Sequence, residues 1–335
     1  MALYSKWVKI SRIVANVGFF TTSFAVILFI SLTVFFVKKK VGSYRFLLIL
    51  FPILGFFFSS FEFFMHPFFH NFDSGITLFS LAHFPSSSLP FHTALLCAYT
   101  GLYSMTIALL ALQFLYRYWA VFRPELIAAF FDGPRFCFSV LYSLFFGAFW
   151  SVGMHVFCRV DDSVHYYFNE EILESYGLIF SEQAAIATIA FDKNGSVRWV
   201  NALGTMDITV NLMFQYSIII FCAVRMGMKM KEKISLLSPS LRRMHNQLYR
   251  TLLLQITLPT VTLVAPVFFL IYVPFFNMTL SIPTGIFLST FALYPAMDCL
   301  IVIFIVSHYK NALRKMFRML KSTKENYFQK SYPVS

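Results

Sequence analysis

Residues 93–116 read TALLCAYTGLYSMTIALLALQFLY, a run without a single charge that closes on Arg117. A bilayer core about 30 Å thick needs about 20 predominantly apolar residues in a helix, so this stretch is long enough to cross one. Six more runs of the same kind lie on either side of it, at about 13–37, 46–65, 136–157, 203–224, 248–273 and 283–306. Together they fill most of the 335 residues, of which 58% are apolar and 13% charged, about half the charge of a soluble domain. With 44 Phe and 17 Tyr but only 13 Gly and 13 Pro, collagen-like, disordered and low-complexity chains are excluded. The first run exceeds the roughly 7–15 residues of a signal-peptide core and reads as a retained helix. The expectation is an all-α membrane protein, a seven-transmembrane helix bundle forming one domain over 1–335, with a basic tail from 307 to 335.

Basic residues resist translocation, so their distribution reports how the chain is threaded. One side gathers Lys38, Lys39, Lys40 and Arg45, then Arg117, Arg123 and Arg135, then seven from Arg225 to Arg250 and seven from Lys310 to Lys330. The other holds Lys6, Lys9, Arg12, Arg159, Lys193 and Arg198. The N-terminus is therefore expected outside and the tail in the cytoplasm, on the strength of the later loops, since the first run has basic residues on both flanks. Most of the net +12 then sits beside helix ends, next to anionic lipid and acidic protein surfaces, and no nucleic-acid partner is needed. The interval from Arg159 to Asn201 has the opposite sign, with Asp161, Asp162, Glu170, Glu171, Glu174, Glu182 and Asp192. Two glycosylation sequons, at Asn194 and Asn277, fall on expected outer segments.

Ionisable groups inside a bilayer are costly and are functional candidates by default; here they are Glu62, Asp207 and Asp298. Asp207, Asn211 and Gln215 stand four apart, which stacks them on one helix face. That face is either the polar wall of a ligand cavity or a seam of helix–helix hydrogen bonds. The seam suits Asn211 and Gln215 better; the cavity suits Asp207, nearest the outer end. The five cysteines have no CxxC spacing, and Cys97 and Cys158, both near the outer face, are the pair able to bridge in an oxidising exterior. His66, His70, His83, His92, His155 and His165 gather near the same face without a metal-ligand spacing and read as interfacial histidines. No metal or cofactor is expected.

The chain lacks HExxH, GxSxG, GxGxxG and GxxxxGK[ST], and no nucleophile, base and orienter can be named, so an enzyme is not expected. The inner ends carry more. Tyr116-Arg117-Tyr118-Trp119 closes the third run, Tyr294-Pro295-Ala296-Met297-Asp298 sets a helix breaker and a carboxylate in the seventh, and Pro259 and Pro266 interrupt the sixth. Lost backbone hydrogen bonds at such prolines make hinges or plain kinks.

In these motifs the chain resembles the nematode seven-transmembrane chemoreceptors of the Str family, nearly end to end. The matching stretches are Gly42-Ser43-Tyr44-Arg45-Phe46-Leu47, Glu62 followed by Pro67 and His70, Gln113 through Ala120, Gln247 through Leu252 leading to Gln255 and Pro259, and Tyr294 through Asp298 running on to Ile305. Three departures stand out: Cys299 where the family usually has Pro, His308 where an acidic residue is common, and no acidic partner before Arg117 of the kind rhodopsin-like receptors carry. The resemblance implies a G-protein-coupled olfactory receptor for a small, volatile molecule, in the plasma membrane of chemosensory cilia. It implies coupling to a heterotrimeric G protein α subunit, here through Tyr116, Arg117 and Tyr118. Because a ligand activates only by binding one state better than the other, its contacts are expected in an outer cavity near Glu62, Thr100, Ser104, Asp207 and Asn211, and the proline-bearing sixth and seventh helices are the expected activation switch, at Pro259, Tyr294, Pro295 and Asp298. The alternative is a seven-span ligand-gated chemosensory ion channel, whose inverted topology the basic residues oppose. A transporter would show an internal repeat, and none is found.

Overall fold

The structure, a computed structural model, describes residues 3–37, 43–235, 238–276 and 281–331. Lys38, Lys39, Lys40, Gly42 and the sequon residue Asn277 lie outside the described residues. Among the described residues, seven helical spans are long and apolar enough to cross a membrane: Ser5–Val37, Tyr44–Met65, Leu89–Phe122, Gly133–Phe157, Trp199–Lys229, Pro239–Phe276 and Gly285–Ile305. In chain order the α-helices are α1 (Ser5–Ser31), α2 (Tyr44–Met65), α3 (Leu89–Phe122), α4 (Pro124–Phe130), α5 (Cys137–Phe157), α6 (Asp162–Tyr176) and α7 (Trp199–Ser235). They continue with α8 (Pro239–Pro259), α9 (Ala265–Tyr272), α10 (Gly285–Ser289), α11 (Tyr294–Ile305) and α12 (Ser307–Ser331). Several run beyond the apolar stretches, because hydropathy marks only the part of a helix that sits in hydrocarbon.

The third span is the most enclosed of the seven and packs against α2, α5 and α7. Its contact with α5 is close because glycines face each other. A Cβ on Gly101 would lie 2.6 Å from the Gly147 carbonyl oxygen, and small residues of this kind are what let membrane helices approach. Prolines break the sixth and seventh spans. Pro259 ends α8, and Thr260–Val264 widens into a π turn before α9. In the seventh, a 3₁₀ turn at Thr290–Leu293 separates α10 from α11. Pro295 occupies the first turn of α11, where a missing N–H loses no bond. Beyond Val306 the chain enters α12, pinned to the first span by Tyr309, which stacks on Phe29 at 5.0 Å and hydrogen-bonds Thr33 at 2.9 Å.

One end of the bundle carries a four-stranded antiparallel sheet in the order β3-β2-β1-β4, built from β1 (Pro67–Phe72), β2 (Gly75–Ser80), β3 (Ala185–Ile189) and β4 (Ser281–Ile282). The sequence reading assigned these stretches no secondary structure. α2 stops where His66 turns left-handed at φ 43° and Pro67 forbids further helix, so the chain leaves as a strand. Side chains alternate across a sheet. Phe68, Phe79, Ala185 and Ile189 meet Val164, Phe168, Ile172 and Phe180 of the α6 region in a small core of their own. The other face, with Phe69, Ile76, Leu78 and Ile186, looks down into the bundle. α6 is started by Asp161, whose carboxylate accepts the Val164 N–H at 3.0 Å, and stopped at Gly177 with φ 68°.

Candidate functional site

Beneath the sheet the bundle holds an apolar cavity of about 70 Å³. Its roof is Phe69, Ile76, Leu78, Ile186 and Thr188; its walls include Phe58, Tyr99, Thr100, Tyr103, Trp150 and Ile208. The residues singled out from the sequence take different places around it. Thr100 lines the cavity, with its hydroxyl given to the Cys97 carbonyl at 2.7 Å. Glu62 does not line the cavity; the hydroxyl of Tyr99, which does, donates to its Oε1. Ser104 is fully buried deeper in α3 and donates to the Phe146 carbonyl at 3.1 Å and to Asn211 Oδ1 at 3.3 Å. Tyr142 in turn donates to Gln215 Oε1 at 2.8 Å. Ser104, Asn211 and Gln215 therefore join α3, α5 and α7 and do not line the cavity.

Asp207 departs furthest from expectation. It lies on the other side of the α5–α7 seam, beside Gly153, in a groove lined by the exposed Phe149, Val152, Val156, Leu203, Met206 and Val210. The reason is helical geometry: at 3.6 residues per turn, each four-residue step rotates by about 40°. The stripe thus drifts from Gln215 through Asn211 to Asp207, out of the bundle interior. Cys97 and Cys158 are buried thiols, and Cys158 Sγ accepts a hydrogen bond from Thr188 at 3.5 Å. Among the described residues no cluster of His, Cys, Asp and Glu is arranged to hold a metal. His70 of β1 instead sits between Glu171 Oε1 at 3.0 Å and the Tyr176 hydroxyl at 2.8 Å. Burial pulls its imidazole below the usual range, against the opposing pull of Glu171.

The aromatic polar groups of the cavity were missed. Tyr103 and Trp150 line it, and among the described residues Tyr103 Oη and Trp150 Nε1 are buried without a hydrogen-bond partner. The available signal was a Tyr and a Trp inside charge-free spans, residues whose polar tips normally find a partner when buried.

At the opposite end Arg117 turns inward and is only 7% exposed. Its guanidinium lies 3.5 Å from the centroid of the Tyr44 ring, while Nε and Nη2 have no hydrogen-bond partner among the described residues. Tyr44 is fixed by a 3.3 Å hydrogen bond from its hydroxyl to Gln113 Oε1 and by Tyr116, 4.9 Å away ring to ring. Tyr118 turns to Phe221. Asp298 accepts from Gln255 Nε2 at 2.7 Å, joining the sixth and seventh spans. Gln247 Nε2 donates to Ser307 Oγ at 2.7 Å, tying α8 to the start of α12.

Seven apolar helices, a roofed cavity at one end and a buried arginine at the other define a multi-pass membrane protein of the serpentine receptor class. Comparison with known proteins narrows the class. The chain belongs to the serpentine-type 7TM GPCR chemoreceptor Str family, whose model matches residues 11–314. It is 36% identical over 317 residues to the G-protein coupled receptor str-33 of Caenorhabditis elegans, covering 92% of this chain and 91% of that one. It is 24% identical to Serpentine receptor class r-10 of C. elegans, over 82% of this chain and 81% of that protein. The same identity holds for the receptor of that name in Caenorhabditis briggsae, over 84% and 83%.

Proposed function

We propose that this chemoreceptor takes a small molecule into the cavity beneath the sheet and passes the event to a heterotrimeric G protein α subunit at the far end, from the ciliary plasma membrane of chemosensory neurons. The sheet end faces the exterior and α12 the cytoplasm. Support for that threading comes from Arg225, Arg242, Arg243, Arg250, Lys310 and Arg314 at the tail end, against Asp162, Glu170 and Glu174 on α6. Asn194, exposed at the tip of the turn bridged by Phe191 and Val197, is then the glycosylation site.

The observation that carries the reading is the composition of the cavity wall. Phe58, Tyr103, Trp150, Ile208, Ile271 and Leu288 come one each from the second to the seventh span. A guest therefore touches every helix whose position it has to bias, and a ligand shifts a two-state equilibrium only by its differential contacts with the two states. The π turn after Pro259 and the 3₁₀ turn before Tyr294 and Pro295 are where the sixth and seventh spans bend most cheaply. Their movement, with release of Asp298 from Gln255, opens the surface around Tyr116, Arg117 and Tyr118 to the α subunit. Agonist-stimulated nucleotide exchange on a purified G protein tests this. Arg117→Ala should reduce the stimulated rate at least tenfold at equal surface expression, and an unchanged rate removes Arg117 from the coupling surface.

A further inference from the structure

Basic side chains gather at the tail end of the bundle with no carboxylate beside them. On α8, Arg242, Arg243 and Arg250 fall within one face with Gln247, at steps of three and four residues. On α12, Lys310 and Arg314 stand one turn apart. Two concave sites run along these residues, about 600 and 390 Å³ in volume, within the roughly 300–1,000 Å³ of ligand pockets. Arg243 and Gln247 line both, so the two form one groove between the helices. No acidic residue lines either site, and the two ion pairs among the described residues, His70–Glu171 and Arg198–Asp161, belong to the sheet end.

Local physics opposes such a cluster. Arg242 and Arg243 lie in the first two turns of α8 and Lys310 in the first turn of α12, and neither helix has an acidic residue in its first turn. A helix N-terminus favours anions, and like charges one turn apart repel. Gln247 nevertheless holds the two helices together, donating to Ser307 Oγ at 2.7 Å and accepting the Ser307 N–H at 3.3 Å. An anion in the groove relieves both costs.

The level of the groove along the bundle selects the anion. The sixth apolar run begins at about Leu248 and the seventh ends at about Val306, so Arg250 and Lys310 lie within about a turn of those ends, at the depth of lipid headgroups. Further along α12, Phe317 is 60% exposed, as on a helix that lies in the membrane interface. A phosphomonoester carries about −1.5 to −2 charges and three acceptor oxygens, which the arginine fork meets two at a time. Two adjoining sites that share Arg243 fit two such groups on one headgroup.

We propose that the groove between α8 and α12 binds the headgroup of a polyphosphorylated inositol lipid, one phosphate held by Arg242, Arg243 and Arg250 and another by Arg243, Lys310 and Arg314. That the lipid comes from the cytoplasmic leaflet rests on the threading proposed above; the binding itself does not.

Native mass spectrometry of the full-length receptor in detergent, titrated with phosphatidylinositol bisphosphate or phosphatidylserine, counts bound lipid whichever way the chain is threaded. One bisphosphate lipid is expected to bind at least tenfold more tightly than phosphatidylserine. Arg243→Gln combined with Arg314→Gln should weaken it about 30-fold, at about 1 kcal/mol per cation. Lys229→Gln combined with Arg318→Gln, which removes the same charge outside the groove, should leave it within about threefold. Equal loss in the two double variants, or equal binding of phosphatidylserine, shows attraction to net charge alone and overturns the proposal. Soluble inositol trisphosphate binding as tightly as the lipid overturns the lipid assignment in favour of a free phosphate compound. If the Arg243 and Arg314 variant keeps its lipid and loses stimulated nucleotide exchange, the patch belongs to the G protein and the proposal is overturned. A tag after α12 stained in intact cells overturns the threading, and with it the cytoplasmic source of the lipid, while leaving these affinities unchanged.

Discussion

Arg117 shows how a single residue can be held without an ionic partner. Sequence alone placed it where a helix meets the membrane surface and noted that no carboxylate precedes it; neither fact reveals that the side chain folds back over Tyr44. A cation over a desolvated ring is worth about 1–2 kcal/mol, and Tyr44 holds Arg117 by its ring face and by a side-chain hydrogen bond. Tyr44→Leu is therefore expected to raise basal nucleotide exchange about 5- to 30-fold, and Tyr44→Phe, which keeps the ring, to raise it less. Basal exchange in membranes of matched receptor content measures both. At the roof, His70 faces Glu171 and Tyr176 of α6, with the Tyr4 ring 6.1 Å away. Its folded-state pKa is depressed by burial, so its stabilising contribution is complete above the unfolded value of about 6.5 and is lost as pH falls through the folded value. The melting temperature of the solubilised receptor should drop on acidification below about pH 6.5, and His70→Gln should flatten that dependence. The stripe of Asp207, Asn211 and Gln215 was legible as a stripe. Its drift around the helix, which removes Asp207 from the cavity, follows from 3.6 residues per turn but needs the neighbouring helices to be given a direction.

At the scale of elements, the spans were readable because hydrocarbon imposes a length and a composition. The sheet was not. Its strands are covered on both faces, by α6 and by the bundle, so PFFHNF, GITLFS and AIATI lack the regular apolar–polar alternation that marks a half-buried strand. They are also too short to announce themselves by length, and β3 and β4 join the β1–β2 hairpin from distant parts of the chain. The prolines, by contrast, gave the position of the breaks, though not that one becomes a π turn and the other a 3₁₀ turn. The tightest helix crossing yields a prediction of its own. Gly101→Ala drives a methyl group into the Gly147 carbonyl and Ser151, and overpacking of this kind costs about 1–3 kcal/mol. The variant should show a lower melting temperature in detergent and reduced surface expression, and Ser151→Gly should restore part of both by removing one of the two contacts.

For the whole molecule, the ordered set of motifs read from the sequence agrees with membership of the Str family, since motifs in series identify a chain that no single one would. The cavity chemistry was beyond reach at that stage, because lipid-facing and cavity-facing aromatics have the same composition. The orientation proposed above makes a global prediction: Asn194 lies in the lumen during synthesis and at the cell exterior afterwards. An N-glycosidase should shift the mobility of the wild type and leave Asn194→Gln unchanged, while a tag after α12 should be stained only in permeabilised cells. A tag reached in intact cells would invert the whole assignment. The sheet also bears on time. Its hairpin is tied by backbone hydrogen bonds to strands from two distant stretches of chain, so passage of a molecule through the roof waits on opening of the ladder, an event of microseconds to seconds. The persistence of a response after the stimulus has gone is then governed by how often the protein breathes, and a receptor with such a cover reports recent exposure as well as present concentration.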